Sequence, residues 1–96
     1  MALAEISAEK ARAVMTRSKA RDVYDLYYLI EKKQAKFSLE LASRKMEYYG
    51  KKFTREEFLK KAVQKKPYFE KELKSLVFDE LPEFEKTIRA LKKWVK

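Results

Sequence analysis

Lys10 is the first residue whose chemistry conflicts with the apolar pattern around it. It lies four residues after Ile6 and four before Val14, so an ideal helix places it on the apolar stripe. A buried ammonium costs free energy unless its stem carries it to solvent or an anion meets it. Two interpretations follow for Lys10: a lysine that reaches solvent at the domain edge, or a phosphate-binding cation in a cleft.

Asp22 and Asp25 form a second charged feature beside apolar positions. They are three residues apart, share one helix face and fall one turn before Leu26 and Leu29. A carboxylate near a helix N-terminus is favoured by the helix dipole, which gives Asp22 a purely structural interpretation. Two carboxylates on one face also suit Mg²⁺ binding or the positioning of a reacting hydroxyl. The pair alone leaves these alternatives open.

The inventory of reactive side chains excludes most self-contained catalytic sites. The chain has 96 residues, with no cysteine and no histidine. Disulfides, thiolate metal sites, cysteine nucleophiles, histidine–zinc sites and histidine acid–base catalysis are therefore excluded. The sequence also lacks a Gly-rich phosphate loop, a Gly-Ser turn, an Asp-x-Asp pair and a Ser/His/Asp set. Any enzymatic role consequently requires a partner domain or chain.

The charge balance indicates an anionic partner. Lys and Arg number 24 against 15 Asp and Glu, a net charge of +9, and such an excess attracts nucleic acid, nucleotide phosphates or acidic proteins. The excess is largest in the middle third, where Lys-Lys pairs stand at 51–52, 60–61 and 65–66. These lysines form either a solvated surface or a phosphate-binding face. The tyrosines and Trp94 allow base stacking among them, but helical spacing favours core positions.

No segment of the sequence predicts membrane insertion. The longest apolar run, Leu26–Ile30, is far shorter than the ~20 residues that span a bilayer. No N-terminal stretch has the pattern of a signal peptide. We therefore expect a cytoplasmic protein with no membrane partner.

Helical spacing of apolar residues predicts an all-α fold, a compact bundle of five to six short helices in one domain, 1–96. The charged motifs fall in residues 1–34, and further helices follow in 35–96. The predicted helices are Leu3–Thr16, Lys19–Lys33, a third capped by Ser38 and ended by Gly50, a fourth from the Thr54/Glu57 capping box to about Lys66 with Phe53 and Phe58 as its staple, a fifth from Pro67 to about Val77, and a last one opening at Pro82.

Two motifs within residues 5–30 resemble those of a known enzyme family. Residues 5–13, EISAEKARA, fit the form hydrophobic-x-A-E-K-x-x-A, and residues 21–29, RDVYDLYYL, fit R/K-D-x-Y-D-L. In this order, with a short basic link, they resemble the last two motifs of the AbiEii/AbiGii nucleotidyltransferase toxin family. The remaining sequence is compatible with the variable helical C-terminal region of that family.

The resemblance implies a two-part nucleotidyltransferase. An N-terminal domain with a DNA-polymerase-β-like sheet carries a Gly-Ser turn and an Asp-x-Asp pair for Mg²⁺ and nucleotide, and a C-terminal helical domain completes the site. It implies that Lys10 neutralises NTP phosphates. It also implies that Asp22 is an active-site carboxylate that assists the acceptor or positions metal and nucleotide. Asp25 is the weaker catalytic candidate and has an alternative role in helix packing.

Further basic residues and partners are implied in the same way. Arg12 and Arg21 join Lys10 as nucleotide-binding candidates, and Arg17 and Lys19 as contacts to phosphate or RNA. No residue of this chain is assigned as a metal ligand. In the family the transferred group is a nucleotide, some members place it on the acceptor end of tRNA, and the toxin is typically encoded beside an antitoxin.

The absence of the Gly-Ser turn and the Asp-x-Asp pair marks a departure from the family pattern. We expect Mg²⁺ and NTP to bind only together with the N-terminal domain, in cis or in trans, and the chain alone not to transfer nucleotides. It is then a fragment or one half of a split gene.

Two alternatives remain beside this interpretation. The first is a non-enzymatic basic helical module that binds nucleic acid or an acidic protein, for which the lysines at 51–52 and 60–61 matter and Lys10 does not. The second is an assembly fragment whose exposed apolar patch drives homodimers.

Overall fold

The computed structural model describes residues 2–73 and 82–96, and over these residues the chain is helical without strands. Its helices are α1 (Leu3–Thr16), α2 (Arg21–Lys33), α3 (Leu39–Glu47), α4 (Arg55–Val63), α5 (Lys66–Leu73) and α6 (Phe84–Trp94). The predicted all-α bundle is confirmed. None of the described helices is long and apolar enough to cross a membrane.

Helix α1 is the central element of the bundle. It packs against α2, α3 and α4, while α6 closes the other side against α2 and α4. Small side chains on α1 let its neighbours approach closely, and Ala11 and Val14 are fully buried there. On α2, Val23 and Leu26 are equally buried and share the same core. The facing stripes of α1 and α2 therefore place these two helices side by side.

Aromatic rings form the part of the core where α4 and α6 meet. The Phe37 ring lies 5.6 Å from that of Phe53 and 5.0 Å from that of Trp94, measured between centroids. Phe53 and Phe58, the predicted staple, have centroids 5.7 Å apart. The Trp94 indole N–H donates to the carbonyl of Ala35 at 3.0 Å. These contacts fix α6 against the start of α4, since aromatic pairs add to simple area burial.

Local capping signals in the sequence are confirmed. The Ser38 hydroxyl accepts from the Leu41 amide at 3.2 Å, and the Thr54 hydroxyl accepts from the Glu57 amide at 3.2 Å. Gly50 has a φ of 71°, the left-handed conformation that a residue without Cβ adopts at little cost. These groups satisfy orphan amides and carbonyls at the ends of α3 and α4.

Several predicted boundaries are shifted. Helix α4 ends at Val63 and α5 begins at Lys66, where the prediction ran one helix to about Lys66 and began the next at Pro67. The reason is a turn in which the Lys65 amide donates to the Ala62 carbonyl at 3.1 Å and the Lys65 side chain enters the core.

Helix α3 ends at Glu47 rather than at Gly50, because residues 48–50 form a turn. The other shifted boundaries lie at helix starts. Helix α2 begins at Arg21 rather than Lys19, because Ala20 is the buried N-cap. Helix α6 begins after Glu83, so Pro82 precedes its cap. The predicted end at Val77 lies outside the described residues.

The prediction that the tyrosines lie in the core is wrong for Tyr28, Tyr48 and Tyr49, which are exposed. Tyr48 is the extreme case, with 86% of its surface exposed. For Tyr48 and Tyr49 the physical reason is that α3 ends at Glu47, so both residues lie in the turn that follows the helix. Trp94, by contrast, packs against the core as predicted.

Candidate functional site

Lys10 of α1 meets Asp22 and Asp25 of α2 where the two helices pack. The Lys10 ammonium donates to Asp25 Oδ2 at 3.0 Å, and its nitrogen lies 3.9 Å from Asp22 Oδ1. We call these three residues the Lys10 cluster. The structure therefore brings the three predicted site residues together, because α1 and α2 pack side by side.

Lys10 combines the two interpretations that its spacing allowed. Its side chain keeps 33% of its surface exposed, so the ammonium lies at the edge of the domain rather than in the core. It also meets anions, the two aspartates. A lysine ammonium has three N–H donors, and within the described residues only the Asp25 bond uses one. Its remaining donors are available to a ligand that approaches from solvent.

Asp22 is the buried carboxylate of the cluster, with 4% of its side chain exposed. Its Oδ2 has no hydrogen bond within the described structure and lies 3.6 Å from the Arg17 Nε. It stands in the first turn of α2, where the helix dipole favours a negative charge. Buried polar oxygens without a hydrogen-bond partner are rare, which singles out this carboxylate within the described structure.

Exposed cations surround the mouth of the Lys10 cluster. Arg17 and Lys19 lie in the connection between α1 and α2, and both are exposed. Arg21 is also exposed, with its Nε 3.6 Å from Asp25 Oδ2. Arg17 and Arg21 therefore place positive charge beside the aspartates, which suits an anionic ligand.

Arg12 occupies a different face of α1. Its guanidinium bonds to the carboxylate of Glu9, donates to the Thr16 hydroxyl at 3.0 Å, and stacks over the Tyr49 ring with 4.8 Å from Cζ to the centroid. The structure thus does not bring Arg12 to the Lys10 cluster. A groove of about 450 Å³ lies on this α3 side, lined in part by Glu9, Leu41 and Tyr49.

The donor set of the Lys10 cluster does not fit a resident magnesium ion. Asp22 and Asp25 are the two carboxylates of the cluster, and within 4 Å their oxygens meet Lys10, Arg17 and Arg21. Over the described part of the chain, no group of three or more acidic, histidine or cysteine side chains gathers as a metal site. Mg²⁺ favours several oxygen ligands and an anionic environment, so we assign it no ligand here.

Lys65 is a buried cation that the sequence analysis missed. Only 6% of the residue is exposed, and its ammonium donates to the carbonyls of Val14 at 3.1 Å and Lys61 at 3.3 Å. Burial lowers the pKa of Lys65, the nearby Lys61 lowers it further, and Asp22 and Glu72 act in the opposite direction. Neither interpretation of the middle-third lysines, a solvated surface or a phosphate-binding face, describes this buried position.

The signal that identifies Lys65 was present in the sequence. It lies three residues after Ala62 and four before Phe69, both of which are buried. This is the same conflict between charge and apolar spacing that drew attention to Lys10. Glu72 carried no comparable signal, although its carboxylate accepts from the Ala20 amide at 3.2 Å.

The other lysines of the middle third do not converge on one feature. Lys51, Lys52 and Lys60 are exposed. Lys61 lies 4.0 Å from Glu57 and Lys66 lies 3.1 Å from Glu85, both as surface ion pairs. Pairs of this kind contribute little to stability, and partial neutralisation weakens the case for a continuous phosphate-binding face here.

Comparison with known proteins identifies a family that matches both the motifs and the helices that follow them. The family model for the AbiEii toxin, described as a nucleotidyl transferase of a type IV toxin–antitoxin system, matches residues 1–92. The match extends well beyond the two motifs and covers nearly the whole chain. Neither the curated proteins nor the solved structures contain a match.

Proposed function

Because the chain belongs to the AbiEii nucleotidyl transferase toxin family, we propose that its helices supply Lys10 and Asp22 to a nucleotidyl transfer site. The rest of that site is contributed by a nucleotide-binding domain, in cis or in trans. The observation that carries the proposal is the buried Asp22 carboxylate, whose Oδ2 has no hydrogen bond within the described residues and which lies beside Lys10.

Each residue of the Lys10 cluster has a chemical role in this proposal. The Lys10 ammonium offers its unused N–H donors to the phosphates of an NTP, where it stabilises the charge that develops on transfer. Asp22 accepts a hydrogen bond, and then the proton, from the acceptor hydroxyl as that oxygen bonds to the α-phosphorus and pyrophosphate leaves. Asp25 holds Lys10 in place through its 3.0 Å bond.

The acceptor is a polyanion in this proposal. Arg17 and Arg21 lie beside the aspartates, and Lys19 between them in the chain is exposed as they are, so these cations suit the phosphate backbone of an RNA such as tRNA. Arg12 contributes through the fold rather than through nucleotide binding, since its guanidinium is engaged by Glu9, Thr16 and Tyr49. The family description as a toxin supports an antitoxin as a further partner.

The test is nucleotide transfer by the assembled enzyme, which is this chain together with its nucleotide-binding domain. Labelled NTPs and tRNA are incubated with wild-type enzyme and with the variants Lys10→Met, Asp22→Asn and Asp25→Asn. We expect Lys10→Met and Asp22→Asn to lose roughly a hundredfold or more in kcat/KM, and Asp25→Asn to lose less, about tenfold.

The matched control is Lys66→Met, which removes an exposed lysine that pairs with Glu85. Its activity should stay within about twofold of wild type, since surface ion pairs contribute little. Circular dichroism and urea unfolding check that each variant is folded. Folded Lys10→Met and Asp22→Asn enzymes with wild-type kcat/KM would overturn the proposal. So would robust nucleotide transfer by residues 1–96 alone.

A further inference from the structure

Two side chains, one from the turn between α4 and α5 and one from the end of α5, contact the two ends of the connection that joins α1 to α2. Lys65, between α4 and α5, donates to the Val14 carbonyl in the last turn of α1 at 3.1 Å. Glu72, on α5, accepts from the Ala20 amide at the N-cap of α2 at 3.2 Å. We call Lys65 and Glu72 the α4–α5 clamp. It ties the two helices that carry the Lys10 cluster.

The charges of the clamp match the helix ends that they contact. Helix α1 has no basic residue of its own in its last turn, and Lys65 supplies a cation to the free carbonyls there. Helix α2 has no side-chain hydrogen bond from its N-cap residue, and Glu72 supplies the anionic acceptor instead. The two helix ends lack these capping contacts from neighbouring residues, and the clamp supplies them from a segment that is distant in sequence.

The two anchor points stand close to the Lys10 cluster along the chain. Val14 lies four residues, about one helical turn, after Lys10, and Ala20 lies two residues before Asp22. The side-chain contacts of Asp22 are weak: ion pairs at 3.9 and 3.6 Å and an Oδ2 with no hydrogen bond in the described structure. Its location depends accordingly on where the backbone of α2 begins.

We infer that Lys65 and Glu72 are positioning residues, which hold the start of α2 against the end of α1 so that Asp22 stays beside Lys10. The inference rests on the proposed function for its catalytic consequence. The Lys65 ammonium donates to the backbone carbonyls of Val14 and Lys61, so we assign it an effect through the placement of Asp22 rather than a contact with a substrate.

The first experiment measures the position of Asp22 in residues 1–96 without reference to activity. Nuclear magnetic resonance follows the Asp22 carboxyl ¹³C shift and the hydrogen exchange of the Ala20 amide. The variants are Lys65→Met, Glu72→Ala and Glu72→Gln, with Lys66→Met as control because Lys66 is adjacent to Lys65 and exposed. Methionine keeps most of the lysine stem, and glutamine keeps an oxygen that can accept from the Ala20 amide.

We expect Glu72→Ala to accelerate Ala20 exchange about tenfold or more, as loss of a hydrogen bond to a charged group predicts. Glu72→Gln should restore most of the protection. Lys65→Met should move the Asp22 carboxyl resonance, whereas Lys66→Met should leave it in place. An Asp22 resonance and an Ala20 exchange rate unchanged in Lys65→Met and Glu72→Ala would overturn the inference.

The second experiment uses the assembled enzyme and separates positioning from stability. At a temperature where every variant is folded, Lys65→Met and Glu72→Ala should lose about tenfold in kcat with KM within about twofold, because misplacing a catalytic group weakens the transition state alone. Glu72→Gln should recover most of the lost kcat. A merely structural role predicts lower stability with unchanged kcat in the folded fraction, and that result would contradict the inference.

The two proposals fail in different ways. If Asp22→Asn keeps full activity while Lys65→Met still moves the Asp22 resonance, the proposed function is wrong and the clamp stands as a structural device. If Asp22→Asn abolishes activity while the clamp variants leave both kcat and the Asp22 resonance unchanged, the proposed function stands and the clamp inference is wrong.

Discussion

Lys10 and Lys65 are two lysines on apolar stripes, and the structure places them in contrasting surroundings. Lys10 keeps a third of its side chain exposed and faces two carboxylates, while Lys65 is buried and donates to backbone carbonyls. The carboxylates offset the charge of Lys10, and its exposed side admits a ligand. Neutral carbonyls offset desolvation only in part, so burial lowers the pKa of Lys65. The same sequence signal therefore marks a partly exposed lysine paired with carboxylates in one case and a buried lysine bonded to backbone carbonyls in the other.

Truncation of Lys10 and of Lys65 should give the largest difference in stability between the two regions. Lys65→Ala removes a buried stem and two hydrogen bonds, and we expect a loss of about 2 kcal/mol in the free energy of unfolding. Lys10→Ala should cost less, about 1 kcal/mol, because Arg17 and Arg21 still neutralise the aspartates. Urea unfolding at pH 7 measures both. The reverse order of stability would show that the buried lysine is not the support that we describe.

Deprotonation of Lys65 leaves its side chain in place, so it should change the free energy of unfolding less than truncation does. The pKa of Lys65 is lowered in the folded state relative to its ordinary value of 10.5. Between the two pKa values the unfolded chain binds more protons than the folded one, and the stability contributed by Lys65 therefore rises with pH in that window. Urea unfolding at several pH values should give a steeper rise for wild type than for Lys65→Met. Parallel profiles would contradict this prediction.

The Lys10–Asp25 contact should show a coupling of intermediate size. A double-mutant cycle with Lys10→Met and Asp25→Asn is expected to give about 1 kcal/mol at low salt, since both side chains are partly screened by solvent. The coupling should fall as ionic strength rises, because counterions screen exposed charges. A coupling that is insensitive to salt would indicate a more enclosed pair than the structure shows.

The smallest effect is expected at Lys66 and Glu85, which are each 63% exposed. The cycle with Lys66→Met and Glu85→Gln should give a coupling below about 0.5 kcal/mol. This pair serves as the exposed reference for the Lys10 cluster and for buried Lys65. A coupling equal to that of Lys10 and Asp25 would remove the contrast between the two regions.

The parts of the fold that the sequence predicted are those that depend on local signals. The bounds of α1 are as predicted, and Ser38, Thr54 and Gly50 perform their capping roles. Each of these signals acts within a few residues, so the sequence contains it directly. The exposed tyrosines were missed because side-chain spacing predicts which residues share a helix face, but not how much of that face a neighbouring helix covers.

The candidate site was predictable only in its motif residues. Lys10, Asp22 and Asp25 stand in two adjacent helices, and their grouping followed from motif order, while their catalytic roles stay predictions. Lys65 and Glu72 contact α1 and α2 across 51 and 52 residues of sequence. Separations of this size depend on the tertiary packing of α4 and α5, which no local pattern specifies.

Those long separations also mean that the clamp contacts form later during synthesis than the contact between Lys10 and Asp25, which are 15 residues apart. Contacts between residues far apart in sequence form slowly, since the intervening chain must first close a large loop. The corner between α1 and α2 lacks its clamp until residue 72 has left the ribosome, although both motifs emerge some 40 residues earlier. A nascent chain thus carries Lys10, Asp22 and Asp25 before it carries the Lys65 and Glu72 contacts that join α1 to the start of α2.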